Sequence, residues 1–112
     1  MDINDLYTQD KHDAGAEMRV RGPDGIETDC YIMLVGIDSK KWREILKERA
    51  KDSAINDNMI LAKATLGWRG FTNGDDNFEF SEAAALALYK KAPYIAQQAD
   101  LFISRRVNFI KS

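Results

Sequence analysis

The stretch from Ala16 to Val35 constrains the fold most. Ala16, Met18 and Val20 alternate with Glu17, Arg19 and Arg21, the period-2 pattern of a strand with one face buried. Gly22-Pro23-Asp24-Gly25 follows, in which proline presets φ at about −65°, aspartate can bond its own backbone and glycine supplies a left-handed position. A return strand from Ile26 to about Val35 starts by alternating, then becomes continuously apolar at Tyr31-Ile32-Met33-Leu34-Val35. That run predicts cover on both faces of its second half. The N-terminal part of the chain is therefore an antiparallel β-hairpin.

Beyond the hairpin the apolar period changes from that of a strand to that of a helix. Gly36-Ile37-Asp38-Ser39 ends the strand and offers Asp38 or Ser39 as an N-cap. Trp42, Ile45, Leu46 and Arg49 then fall on one helical face, with Lys40, Lys41, Arg43, Glu44, Lys47 and Glu48 on the wet side. Asp52 to Asn58 breaks this helix, and Asn56 or Asp57 caps a second one, Asn58 to Leu66, in which only Lys63 and Thr65 are polar. A helix apolar nearly all round belongs in a core or against another subunit.

Gly67 breaks that pattern, and Trp68 and Phe71 are expected to wedge under the polar loop Thr72 to Asn77. Phe78 and Phe80 share a face if extended, Ser81-Glu82 caps an alanine-rich helix, and Pro93 restarts the chain into a last amphipathic helix through Tyr94, Ile95, Ala99, Phe102 and Ile103. Val107, Phe109 and Ile110 are expected to dock its tail. Leu66 to Pro93 thus reads as the hinge of a helical subdomain. The expected class is α+β: an N-terminal β-hairpin or small antiparallel sheet followed by a bundle of three to four helices. Residues 16–112 form one domain, with the hairpin at 16–36 and the helical part at 39–112. Residues 1–15, rich in Asp, Asn and Gln, read as a flexible N-terminal arm.

At 112 residues the chain buries enough surface for a single core. One cysteine, Cys30, allows neither an internal disulfide nor a thiolate metal site, so an intracellular setting follows by default. The acidic start Met1-Asp2-Ile3-Asn4-Asp5-Leu6 lacks the features of a signal peptide, and no apolar run approaches the roughly 20 residues of a membrane span. Sixteen Lys+Arg against eighteen Asp+Glu give a formal charge of −2, which counts against a dedicated nucleic-acid binder. Arg105-Arg106 reads as a solvated helix face. His12 has no second histidine, cysteine or serine partner and reads as exposed and idle.

The loop Asn73 to Glu79 concentrates oxygen ligands, but its glycine precedes the acids, unlike a calcium-binding EF-hand loop. No phosphate-binding glycine motif, nucleophile elbow or H-E-x-x-H occurs, and Asp75-Asp76 lies in a polar loop with nothing to drive its pKa values apart. No catalytic residue, cofactor or metal is expected. The aromatics Trp68, Phe71, Phe78 and Phe80 remain, either as interface anchors or as core, and core is the commoner outcome in a domain this small.

Two blocks resemble the tail assembly chaperone family of long-tailed bacteriophages and prophages. The first is Val20-Arg21-Gly22-Pro23-Asp24-Gly25, the strand ending Val35-Gly36-Ile37-Asp38-Ser39, then Lys40-Lys41-Trp42-Arg43. The second is Thr65-Leu66-Gly67-Trp68-Arg69-Gly70-Phe71, an acidic loop, Phe78-Glu79-Phe80-Ser81-Glu82, then Pro93-Tyr94-Ile95 and a final aromatic, Phe109. The loop departs from the family pattern, with Gly74 ahead of Asp75-Asp76. The resemblance implies a non-catalytic helper in the cytoplasm of the bacterial host that binds the tape measure protein and recruits tail tube subunits. Such helpers are absent from the finished virion, and relatives tend to self-associate. Trp68, Phe71, Phe78, Phe80, Met59 and Ile60 are the candidate partner-binding or core residues. Two other classes stay open: a minor structural tail or head-tail connector protein, and a small regulatory or nucleic-acid-binding domain. The last would need Arg19, Arg21, Arg105 and Arg106 to converge on one face.

Overall fold

The hairpin forms where the alternation places it. In the computed structural model, which describes residues 1–110, β1 (Ala16–Arg21) pairs antiparallel with β2 (Glu27–Leu34). Positions 111–112 of the expected domain lie outside the described residues. The register runs from Ala16 opposite Leu34 to Arg19 opposite Tyr31, then shifts to Arg21 opposite Glu27, so β2 bulges at Thr28, Asp29 and Cys30. Thr28 pins the bulge, its hydroxyl donating to Val20 O at 2.7 Å and accepting from the Cys30 N–H at 3.2 Å.

The expected hinge beginning at Leu66 is instead a strand. After α2 (Lys40–Lys51) and α3 (Asp57–Ala64), the chain passes without a loop into β3 (Thr65–Arg69), which pairs antiparallel with the far edge of β2 to give the sheet order β1-β2-β3. The second helix therefore stops two residues short of Leu66. Two bonds enforce the stop: the Val35 N–H donates to Ala64 O at 3.0 Å, and the β-branched Thr65 turns its hydroxyl back to Leu61 O at 2.8 Å. Gly67 lies inside the strand opposite Met33.

A two-rung hairpin, β4 (Thr72–Asn73) and β5 (Asp76–Asn77), leads to α4 (Glu82–Lys91), α5 (Pro93–Ser104) and a short α6 (Val107–Ile110). Side-chain oxygens of Ser39, Asn56 and Ser81 accept the N–H of Trp42, Met59 and Ala84, capping α2, α3 and α4, and Pro93 starts α5. The fold is the expected α+β, with helices packed on one face of a small antiparallel sheet; the helical part holds α2 to α6, the short α6 beyond the three to four helices expected, and contributes β3 to the sheet.

Of the expected arm, residues 1–7 are exposed, whereas residues 8–15 are packed on the domain. Ile3–Leu6 forms a 3-10 turn, and α1 (Gln9–Ala14) docks on the turn between β2 and α2 and on α6. The Gly36 N–H donates to His12 O at 3.1 Å, and Asp13 accepts the Lys40 N–H at 2.7 Å. Of the three tail residues expected to dock, Phe109 is buried while Val107 and Ile110 stay exposed.

The core lies between the sheet and the helices. Met18, Val20, Ile32 and Leu34 line the inner sheet face and meet Ile45, Ile60, Leu61, Ala64, Ala85, Tyr89, Ile95, Ala99 and Ile103. Each fully buried Ile or Leu here contributes roughly 1.5–3 kcal/mol. Helix α3 is apolar all round because its own chain surrounds it, α2, α4, α5 and β3 all packing against it. The other sheet face is only partly covered: Tyr31 lies between Arg19 and Arg69, and Met33 lies near Gly15. The expected cover on both faces of the second half of β2 is therefore incomplete: Ile32 and Leu34 on the inner face are buried, whereas Tyr31 and Met33 on the other are half-buried.

Candidate functional site

Four aromatic rings gather where β3 leaves the sheet. Trp68 stands opposite Ile32 in the register, and the chain then turns back at Gly70, whose φ of +93° suits glycine. A Cβ at Gly70 would also press on the backbone of Asp29 and Cys30. The Phe78 N–H returns to Phe71 O at 3.0 Å, and the Trp68 indole Nε1–H donates to Phe78 O at 2.8 Å, so both arms of the loop are tied to the same ring. Phe78 stacks on Trp68 at 5.3 Å, while Phe71 at 5.3 Å and Phe80 at 5.1 Å meet it edge-on. These are the favoured aromatic geometries, each worth about 0.5–1.5 kcal/mol beyond burial.

All four rings are half-buried, so the corner is neither pure core nor free surface. Trp68, Phe71 and Phe80 lean on the core, whereas Phe78 packs only outside it. A cleft of about 340 Å³ opens among the rings, with Arg69, Asn77 and Glu79 on its wall. Arg69 is held in place by Glu17 at 2.7 Å and lies over the Tyr31 ring at 4.0 Å. Its bond to Glu17 raises its pKa above the ordinary arginine value.

Met59 and Ile60 do not join this corner. Met59 is half-buried in a small separate cleft with Lys63, Glu82 and Leu86. Ile60 is buried, at the floor of a groove of about 420 Å³ between α2, α3 and the α4–α5 junction. Trp42, Leu46, Pro93 and Ala96 line that groove, and an Arg49–Asp57 ion pair at 3.0 Å sits on its rim. The sequence carried a signal for it: Leu46 lies at the edge of the apolar stripe of α2 and remains exposed.

A second polar site was not legible. His12, expected to be exposed and idle, is wholly buried between Gly36 and the Phe109 ring, which stacks on it at 4.7 Å. The Asp38 N–H donates to Nδ1 at 3.0 Å, which requires the neutral ring with its proton on Nε2. Nε2 has no hydrogen-bond partner, the nearest carboxylate oxygen of Asp38 being 3.7 Å away. Burial lowers the His12 pKa, with Arg106 acting in the same direction, while the charges of Asp38 and Asp13 oppose it.

Asp38 is not the cap of α2 but the hub beside it. Arg106 grips its carboxylate with two bonds, 2.8 and 3.0 Å, and Thr8 Oγ1 donates to it at 2.6 Å. The Arg106 bonds chiefly, helped by Thr8 and opposed by burial, hold the Asp38 pKa down at about 2. Arg106 is solvated as expected but sits in the turn after α5, is spent on Asp38, and does not line the groove that Arg19, Arg21 and Arg105 share. Three of the four arginines converge; the fourth does not.

Among the described residues no group of three His, Cys, Asp or Glu side chains is placed to hold a metal ion, and no helix is long and apolar enough to cross a membrane. Comparison of the chain with protein-family models, curated proteins and solved structures gives no match.

Proposed function

We propose that this chain is a tail assembly chaperone of the kind made by long-tailed phages and prophages. On this reading it is a non-catalytic helper in the host cytoplasm that binds the tape measure protein, gathers tail tube subunits and leaves no copy in the finished virion. The observation that carries the proposal is the Trp68 corner. None of the four rings belongs to the fully buried core, on which three of them only lean, and they are tied together half out of water around an open cleft. Preorganised aromatics of this kind are the usual anchors of a binding surface, because little side-chain entropy remains to be lost on contact. A long helical partner presents apolar side chains at i, i+3, i+4 and i+7, which suits a cleft lined by aromatic rings. The same corner bears Thr65 to Phe71 and Phe78 to Phe80, part of the second of the two blocks on which the family resemblance rests.

The test is co-expression of the tagged chain with the long helical protein and the tube protein encoded beside it. Both should be retained on the tag, and Phe78→Ala should release the helical protein while leaving the fold intact, since Phe78 does not lean on the core. Capture of neither protein sinks the proposal. Persistence of the chain in purified virions would replace it with a structural tail or connector role.

A further inference from the structure

The outer edge of β1 faces a groove of about 250 Å³ formed with α5 and α6. Arg19, Arg21 and Arg105 line it, and Leu101 and Phe102 give it an apolar wall. β1 is an edge strand, paired to β2 alone. The Gln98 side-chain amide accepts the Arg21 N–H at 2.7 Å and donates to Arg21 O at 2.9 Å, the two-bond pairing that a neighbouring strand would make. Arg21 therefore turns its backbone outward, and strand alternation turns the N–H and C=O groups of Glu17 and Arg19 outward with it. Gln98 covers the edge at Arg21, and the backbone groups of Glu17 and Arg19 beyond it are left as a template for another strand.

The charge at this edge opposes that of the chain. Arg19 and Arg21 share Glu27, and Arg19 also reaches Asp29, whereas Arg105 has no ion-pair partner among the described residues. One positive charge is left over in a chain whose formal charge is −2. A strand laid against β1 would turn alternate side chains toward Leu101 and Phe102 on the helix side, and the intervening ones toward the open sheet face, where Arg19 and Arg21 follow Glu17 and Glu17 is neutralised by Arg69.

We propose that this groove docks an extended peptide segment in which carboxylate and apolar side chains alternate, added to β1 as a fourth strand. A polypeptide fits better than a nucleic acid because the edge offers alternating donors and acceptors, and a phosphodiester backbone has no N–H to answer the carbonyls. The groove lies on the side of α5 opposite Ala96 and Asp100, which line the α2–α3 groove, so this inference stands or falls independently of the chaperone reading.

The probe is a fluorescent synthetic peptide alternating Asp and Val, titrated by anisotropy, with amide exchange followed by NMR. Binding should slow exchange at Glu17 and Arg19, and Arg105→Glu should weaken it by about tenfold while Arg105→Lys restores most of it. Arg105 is exposed, and an unchanged urea midpoint verifies that its variants fold. A peptide with alternate N-methyl amides should not bind. Equal binding by that peptide overturns the proposal, as does tighter binding by a single-stranded oligonucleotide of matched charge. So does exchange slowing that tracks protein concentration instead of peptide, which would mean that two copies pair through β1.

Discussion

Gly36→Ala probes the contact that closes the two ends of the chain on each other. Gly36 does not need a positive φ, so alanine meets no backbone penalty there. The obstacle is the His12 ring: a Cβ at Gly36 would stand 2.8 Å from Cε1 and closer still to Cγ and Nδ1. The ring cannot yield, because Phe109 is stacked on it from elsewhere in the fold. It must leave, and with it go the bond from Asp38 N–H, worth about 1 kcal/mol, and much of the burial of Phe109, worth roughly 2 kcal/mol. The expected cost is about 3 kcal/mol, read from urea unfolding followed by Trp42 and Trp68 fluorescence. His12→Ala removes the obstacle, so adding Gly36→Ala to it should cost less than about 0.5 kcal/mol and expose a coupling of about 2.5 kcal/mol. Additive losses, or a Gly36→Ala protein as stable as the parent, would refute the packing argument.

The remaining predictions concern titration, a buried hydroxyl pair and the aromatic corner. His12 is the chain's single histidine, and its folded pKa lies below the ordinary 6.5, so the unfolded chain takes up the proton first. Stability should be complete above pH 6.5 and fall as pH drops through that value, a slope that His12→Gln flattens; a urea midpoint that rises on acidification would mean that His12 pairs with Asp38 as a cation. Asp38 adds stability that is full above its ordinary 3.8 and lost as pH falls toward about 2, worth about 1 to 2 kcal/mol once solvent beside the pair is allowed for. Thr65 gives its only hydroxyl proton to Leu61 O, so buried Tyr89 must donate to Thr65 across 2.7 Å; Tyr89→Phe should cost about 1 kcal/mol by thermal unfolding, and burial should hold the phenol unionised up to about pH 12 by ultraviolet titration. Phe78→Ala should cost under about 1 kcal/mol and Trp68→Ala about 2 to 3, below the figure for a fully buried aromatic, because Trp68 is half-exposed. A Phe78→Ala loss as large as that of Trp68→Ala would make Phe78 part of the core.

The hairpin, the caps at Ser39, Asn56 and Ser81 and the restart at Pro93 were legible because each is a local decision. β3 was not. Thr65 to Arg69 continues an apolar helical pattern and contains a glycine, and it becomes a strand only because the far edge of β2 accepts it. His12 escaped notice for a similar reason, since its burial depends on a glycine in the β2–α2 turn and a phenylalanine near the other end of the chain. The aromatic quartet was readable as a group, because the polar Thr72 to Asn77 stretch is short enough to fold back on itself. Met59 and Ile60 were joined to it only by sharing an apolar helix, whose residues point to different neighbours. Arg105 and Arg106 show the limit of reading charge pairs: adjacent in sequence, one lines the β1 groove and the other is spent on Asp38.

The aromatic cleft and the β1 groove occupy opposite edges of one sheet, and the same rows of residues run between them. Met18, Ile32 and Trp68 stand side by side across β1, β2 and β3 on the inner face, and Arg19, Tyr31 and Arg69 do so on the outer one. Ile32, wholly buried at the middle of its row, therefore sets the depth at which Trp68 enters the aromatic corner and the height of β1 at the far edge, two strand spacings or about 10 Å away. Because the two edges are a full sheet width apart, a molecule bound at one would leave the other free. Phe78 and Arg105 sit at the ends of this arrangement, outside the rows. Substituting either should disturb one surface alone, whereas shortening Ile32 should loosen both.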